Sequence, residues 1–266
     1  MEANLAAVFI DDRNYKEYSG DYVEFGGEKK FNATKFGKPN PGFASLPSNF
    51  KVIPFNETAS RVRDMKQAGA DLVSRKKRSK IKTKDQNGTN YCWVNCAASA
   101  IEYTRELQGE SYRELSPAFL GNLGSNFTNS GGYVEDALEL SVKYGCATVA
   151  SVPTNNLSRQ WYNQNRDAVF ADAARHKVTN WVDLGYGGNG SLDDQVRTLL
   201  LQNQPVVVAL NWWSHAILYV AVTENGDWVI LNSWGDSWGE QGIGVIERRR
   251  GSPNAAFAAA ASLATP

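Results

Sequence analysis

The chain is poor in sulfur and imidazole: its 266 residues include three cysteines and two histidines. Cys92, Cys96 and Cys146 allow one disulfide at most, which excludes a cross-linked framework. A reducing compartment, cytoplasmic or otherwise, is therefore the expected setting, with a virion as the alternative. His176 and His215 fit no zinc-ligand spacing with these cysteines, and neither a metal nor an organic cofactor is expected. Apolar runs are short as well, none approaching the ~18 residues of a membrane span. Neither sign of charge is in excess, with 28 Lys and Arg against 28 Asp and Glu. That balance argues against a general nucleic-acid binder and against an acidic tail. The first residues combine an acidic start, a short apolar run and then Asp11-Asp12, which is not the pattern of a secretory signal. No internal repeat is visible. What is present, 42% hydrophobic residues, suffices for a sizeable core in one globular unit plus an extension.

Residues 1 to about 60 carry little helical periodicity, and Pro39, Pro41, Pro47 and Pro54 interrupt their second half. This predicts an irregular N-terminal extension or pro-segment over 1–60, ahead of a body spanning 61–266. A short helix is expected through Val62, Met65, Ala68 and Leu72. Arg75 to Lys84 then packs seven positive charges into ten residues. A solvated basic loop is the plain reading; a processing site, or a contact of segment 75–84 with an acidic protein partner, are the sharper ones.

Trp93, Cys96, Ala97, Ala100, Ile101 and Leu107 recur at helical spacing, with Gly109 as a stop. Ser116-Pro117 suits the start of a second helix, Gly131-Gly132 precedes a third, and Leu192–Leu201 reads as one more. After Pro205 the pattern changes to strands at 206–210, 216–222, 228–231 and 244–246. Helices first and strands later predict an α+β protein whose two halves pack with a cleft between them. The alanine-rich end, 255–264, is expected to finish the core.

Cys92 falls at the expected first turn of a helix, where free backbone N–H groups and the macrodipole favour an anion, and the thiolate is the nucleophilic form of cysteine. His215 supplies a base, Asn232 a side chain that accepts the imidazole N–H, and Gln86, six residues before Cys92, a donor for an oxyanion. A thiolate–imidazolium pair of this kind can lower a thiol pKa to roughly 3–4. Cys96 and Cys146 read as small packing residues, and His176 as a surface residue.

Gln86, Cys92-Trp93, His215-Ala216 and the block Asn232-Ser-Trp-Gly-Asp-Ser-Trp-Gly-Glu-Gln-Gly242 together resemble the papain/cathepsin family of cysteine proteases, peptidase C1. The similarity covers about residues 80 to 266. It implies a papain-like two-lobed fold, with a helical lobe carrying the nucleophile and a β-barrel-like lobe carrying His215 and Asn232. It also implies proteolysis of a peptide or protein substrate lying extended across the junction. Gly131 and Gly132 would present backbone to that substrate. Tyr133, Val134, Ala209 and Ala216 would line an apolar pocket for the second residue before the scissile bond, and Trp234 would shield the Asn232–His215 pair.

Three departures from the family pattern carry expectations of their own. Thr89-Asn90-Tyr91 replaces the family's Cys-Gly-Ser and Asn129 replaces the cysteine expected before the paired glycines, so both ends of one disulfide are absent. Tyr91 is expected to cover part of the cleft. Only Asn211–Ser214 separates the Pro205 strand from His215, which predicts an open or remodelled leaving-group side. The family's helical inhibitory pro-region is not recognisable in residues 1–60. A rival reading is a papain-fold structural or assembly component, for instance of a bacterial or phage particle, whose N-terminal arm 1–60 binds a partner.

Overall fold

The computed structural model describes residues 8–36, 42–187 and 190–262. Pro39, Pro41 and the closing residues 263–266 lie outside that range. In chain order the elements are β1 (Phe9–Ile10), β2 (Tyr22–Phe25), β3 (Glu28–Phe31), β4 (Ala44–Ser45), α1 (Thr58–Gln67), α2 (Leu72–Ser79), α3 (Cys92–Leu107), α4 (Pro117–Ser125), α5 (Val134–Tyr144), α6 (Arg159–Gln164), α7 (Arg166–Ala173), β5 (Val178–Tyr186), α8 (Gly190–Leu201), β6 (Val206–Leu210), β7 (His215–Val222), β8 (Trp228–Leu231), β9 (Ile243–Ile246) and β10 (Ala255–Ser262).

Eight strands form one mixed sheet in the order β1-β9-β8-β7-β6-β10-β5-β4, and β2 and β3 form a separate hairpin. The strand period of two divides the sheet's side chains between two cores. Along β6, Val207 and Ala209 join the core built with α3, α4 and α5, whereas Val206, Val208 and Leu210 join the core built with α1 and α8. Five consecutive buried residues result, the signature of a strand covered on both faces. The alanine-rich end is β10, inserted between β6 and β5.

Helix α3 is enclosed nearly all round, and fourteen of its sixteen residues are buried. It packs against β7, β10 and β6 on one side and against α4 and α5 on the other. Its small side chains, Ala97, Ala98 and Ala100, permit this enclosure. Pro117 opens α4 as expected, but Ser116 makes no side-chain cap. The predicted basic loop is in part helix. Asp71 caps α2 by accepting the Ser74 N–H at 2.9 Å, and Lys76, Lys77 and Arg78 lie in its last turn, where cations suit the dipole. The described residues before Thr58 include no α-helix and form short strands, 3-10 turns and loops. Among the described residues no helix is long and apolar enough to cross a membrane.

One buried ion pair fixes the approach to Gln86. Lys84 Nζ donates to Glu102 Oε1 on α3 and, at 2.8 Å, to the Leu115 carbonyl, while Leu115 N–H donates to the same Glu102 oxygen at 2.6 Å. Burial pushes the Glu102 carboxyl up to about 7, with Lys84 opposing the shift. A raised folded-state pKa means that stability contributed by this group is complete below the unfolded value, near 4.5, and is lost as pH rises through about 7. Lys84→Met removes the ammonium paired with this carboxylate and is expected to cost about 3–5 kcal/mol at pH 8. The loss should shrink at pH 5–6, where Glu102 takes up a proton. Urea unfolding at the two pH values measures both effects.

Candidate active site

Cys92 is the first residue of α3, with its sulfur fully buried. Burial pushes its thiol pKa up, but the neighbouring His215 imidazole, the Thr34 hydroxyl and the Ala216 backbone N–H more than offset this and bring it down to about 7. The value lies above the 3–4 reached by exposed pairs of this kind because desolvation opposes the anion. Cys96 and Cys146 lack such partners, and burial pushes both thiols well up. Far-ultraviolet thiolate absorbance, taken as the difference between the native chain and Cys92→Ala, should therefore titrate with a midpoint near 7, and no second cysteine should ionise below pH 9.

His215 is the first residue of β7, and its Nε2 lies 2.9 Å from Asn232 Oδ1. That oxygen also accepts the Ser233 N–H at 2.8 Å, which identifies it as the acceptor and places the imidazole proton on Nε2. Nδ1 is then the nitrogen left to exchange a proton with the sulfur, and it has no other well-aligned partner. Trp213 and Trp234 lie against the ring with centroids 4.8 and 5.5 Å away. Both indoles are buried, so water cannot reach the His215–Asn232 bond from that side.

Gln86 is tied to the same loop. Its N–H donates to the Ser233 carbonyl at 2.8 Å, and Ser233 Oγ donates to Gln86 Oε1 at 2.7 Å. The second bond turns the amide so that Nε2 faces the cleft. There Nε2 donates to the Phe31 carbonyl at 2.8 Å and to the Thr89 carbonyl at 3.1 Å. Ser233 thus couples the donor amide to the asparagine that holds the histidine.

The cleft is filled by the chain's own residues 31–36. Thr34 N–H donates to the Ser214 carbonyl and Lys35 N–H to the Gly132 carbonyl, each at 2.9 Å, and Thr34 Oγ1 sits 3.1 Å from Cys92 Sγ. Lys35 pairs in parallel with Tyr133. At Gly131 any Cβ would run into the Ala33 carbonyl oxygen, so glycine is required for this close backbone approach. At Gly132 a Cβ would meet the Trp93 indole.

No family model matches the chain. Cathepsin L 1 of Paramecium tetraurelia is 25% identical over 195 residues, which cover 66% of this chain and 59% of that protein. A cysteine protease of Blomia tropicalis is 25% identical over 211 residues, covering 67% of this chain and 61% of that protein. The chain thus spans less than two thirds of the length of these curated relatives. Among solved structures, xylellain, a cysteine protease from Xylella fastidiosa, superposes with a TM-score of 0.56 at 18% identity, over 68% of this chain and 83% of that one. Bromelain from Ananas comosus, solved with the inhibitor E64, superposes with a TM-score of 0.54 at 18% identity, over 68% and 94%. The fold is papain-like.

In this papain-like frame Cys92, His215, Asn232 and Gln86 come together at one cleft. Gly131, Gly132 and Tyr133 face it through their backbone contacts with residues 33–35. Val134, Ala209 and Ala216 are buried in the core shared with α3, and Ala209 and Ala216 are cross-strand partners. Tyr91 does not cover the cleft. It is buried beneath α4, with its hydroxyl 2.9 Å from Ser125 Oγ and 3.0 Å from the Thr128 carbonyl. Where the disulfide of the family pattern is absent, hydrogen bonds join the same two segments: Asn90 N–H donates to Asn129 Oδ1 at 2.7 Å and Asn90 Nδ2 to the Asn129 carbonyl at 2.8 Å. His176 is buried rather than on the surface, with Nδ1 3.0 Å from the Asp172 carbonyl.

The short Asn211–Ser214 connection is remodelled, not open. Tyr15 and Tyr18 from the N-terminal segment pack edge-on against Trp212 and Trp213. Much of the charge of segment 75–84 is matched inside the fold, through Arg75 with Glu106, Lys77 with Glu240, Lys82 with Glu114 and Lys84 with Glu102. No cluster of three His, Cys, Asp or Glu residues that could hold a metal ion occurs among the described residues. Sequence reasoning missed Thr34 and the coupling role of Ser233. Nothing in local pattern marks Thr34, whereas Ser233 was within reach as the neighbour of Asn232.

Proposed function

We propose that the chain is a cysteine peptidase that hydrolyses peptide bonds through an acyl-enzyme. The observation that carries this reading is the continuous relay of Cys92, His215 and Asn232 beside the Gln86 amide, in a cleft that already accommodates extended backbone. The Cys92 thiolate attacks the scissile carbonyl carbon, forming a C–S bond and an oxyanion that Gln86 Nε2 and the Cys92 N–H stabilise. Collapse breaks the C–N bond while His215 delivers a proton to the leaving amine. Water, deprotonated by His215, then attacks the thioester, and the C–S bond breaks to restore the thiolate. The buried Val134, Ala209 and Ala216 favour an apolar side chain two residues before the scissile bond.

Residues 1–60 fit the role of a pro-segment to the body 61–266. Their contacts with the chain's own cleft support this over a partner-binding arm. All three cysteines are free, which suits a reducing compartment. A fluorogenic peptide panel tests the activity, applied to the chain with residues 27–42 excised. Turnover should favour apolar residues at the second position and vanish in Cys92→Ala. Rapid alkylation of Cys92 without turnover of any peptide would sink the peptidase reading.

A further inference from the structure

The turn that delivers His215 joins β6 to β7 within Asn211–Ser214. Trp213 N–H donates to the Leu210 carbonyl at 3.2 Å and Ser214 N–H to the Asn211 carbonyl at 3.1 Å. Ser214 takes a left-handed conformation, with φ +51°, that a residue carrying a Cβ seldom adopts. Asn254, just ahead of β10, holds the turn in this shape. Its Oδ1 accepts the Asn211 N–H at 2.7 Å, and its own N–H donates to the Ala209 carbonyl at 3.0 Å. A strained residue therefore sits directly before His215, and the indole ahead of it, that of Trp213, is fully buried.

Three rings meet at that point. The Trp213 and Trp234 indoles stand at 87° to each other with centroids 5.7 Å apart, and the His215 imidazole lies against both, tilted by 40° and 48°. In a close-packed interior, an imidazole seated in a right-angled corner cannot turn about its Cβ–Cγ bond without driving an edge into one of the walls. Nε2 is already tied to Asn232 Oδ1 at 2.9 Å, so the corner settles which way the other nitrogen, Nδ1, faces. Indole faces also carry negative potential and attract a neighbouring cation. The corner thus favours the thiolate–imidazolium pair over the neutral thiol and imidazole.

The two walls differ in origin. Trp234 belongs to the Asn232–Gly242 block, whereas Trp213 comes from the short connection at which this chain departs from the family pattern. That second wall is braced from behind. Trp212 stacks on Trp213 at 5.3 Å and 19°, Tyr18 meets Trp213 edge-on at 5.9 Å, and Tyr15 meets Trp212 edge-on at 5.7 Å. The Arg250 guanidinium closes the stack, 3.8 Å from the Tyr15 ring and 5.7 Å from that of Trp212. An indole has two side-chain torsions, and neighbours on both sides fix those of Trp213, so the wall is stiff.

We infer, on the reading of the site as a thiol peptidase, that Trp213 is a positioning residue for His215: with Trp234 it forms the corner that keeps Nδ1 directed at Cys92, and the Trp212 stack holds it there. The test is the thiolate midpoint of the intact chain, which needs no turnover. It is read by far-ultraviolet absorbance as the difference between each variant and the same variant carrying Cys92→Ala. Trp213→Leu should raise the midpoint by about one pH unit, or about tenfold in proton affinity, the size of one desolvated cation–π contact. Trp213→Phe keeps an aromatic face and should recover about half of that shift. Trp228→Leu is the control. That indole is also buried and belongs to the same core, but it pairs with Val222 at the far end of β7. Its loss should lower stability in urea and leave the thiolate midpoint alone. Should Trp213→Leu not fold, Trp212→Leu removes the brace by itself and should raise the midpoint by about half a unit. A native midpoint in Trp213→Leu, or in Trp212→Leu where it stands in, would overturn the inference, as would an equal rise in Trp228→Leu. The expected shifts, together with no peptide turnover once residues 27–42 are excised, would leave the corner standing and remove the peptidase.

Discussion

His215→Ala, measured on the chain with residues 27–42 excised, is expected to lower peptide turnover by about four orders of magnitude. Two losses combine. The sulfur loses the imidazole that holds its pKa near 7, so burial and the low polarity around α3 return the proton to it. The leaving amine also loses its proton donor, which an ionised thiol alone does not replace. The fall should appear in kcat far more than in KM, because His215 is buried beneath Trp213 and Trp234 and contributes little to ground-state binding. Alkylation rates across pH separate the two causes: the variant's profile should move up toward that of an ordinary thiol. A variant that kept native turnover would remove His215 from the chemistry.

Gln86→Ala is expected to cost about 10²–10³ in kcat, the usual effect of deleting one oxyanion donor. The geometry sharpens this, since Gln86 Nε2 already holds a carbonyl oxygen at 2.8 Å, that of Phe31. A substrate carbonyl need only displace it. The deletion also strands Ser233 Oγ, which loses its acceptor at Gln86 Oε1. Ser233→Ala keeps the donor but frees its orientation, so it should reproduce a smaller part of the same kcat loss. Equal activity of Gln86→Ala and the native sequence would assign oxyanion stabilisation to the backbone alone.

The parts of the fold legible in the sequence were those ruled by local periodicity. The α3 stripe and the strands after Pro205 carry their signal within a few residues. Strand β5 and helices α6 and α7 escaped because their burial is set by partners far along the chain, β10 above all. The basic run misled for a related reason. Seven cations in ten residues read as solvated, yet Arg75, Lys77, Lys82 and Lys84 each meet a carboxylate more than fifteen residues away, at Glu106, Glu240, Glu114 and Glu102. Within the site, Cys92, His215, Asn232 and Gln86 were recognisable from their order and neighbours. Thr34 was not, because its position on the sulfur depends on contacts made far along the chain, with Ser214 and, through β1 and β4, with Val245 and Val182.

The pairing of β1 and β4 also bears on the solubility of the body. Strands β9 and β5 are outermost but for the two-residue pairings with β1 and β4, short rungs of the kind that blunt an open edge. A body excised after Ser45 would uncover the edges of β9 at Val245–Ile246 and of β5 at Val182. Such rims recruit other chains, so the β1 and β4 pairings guard the body against self-association.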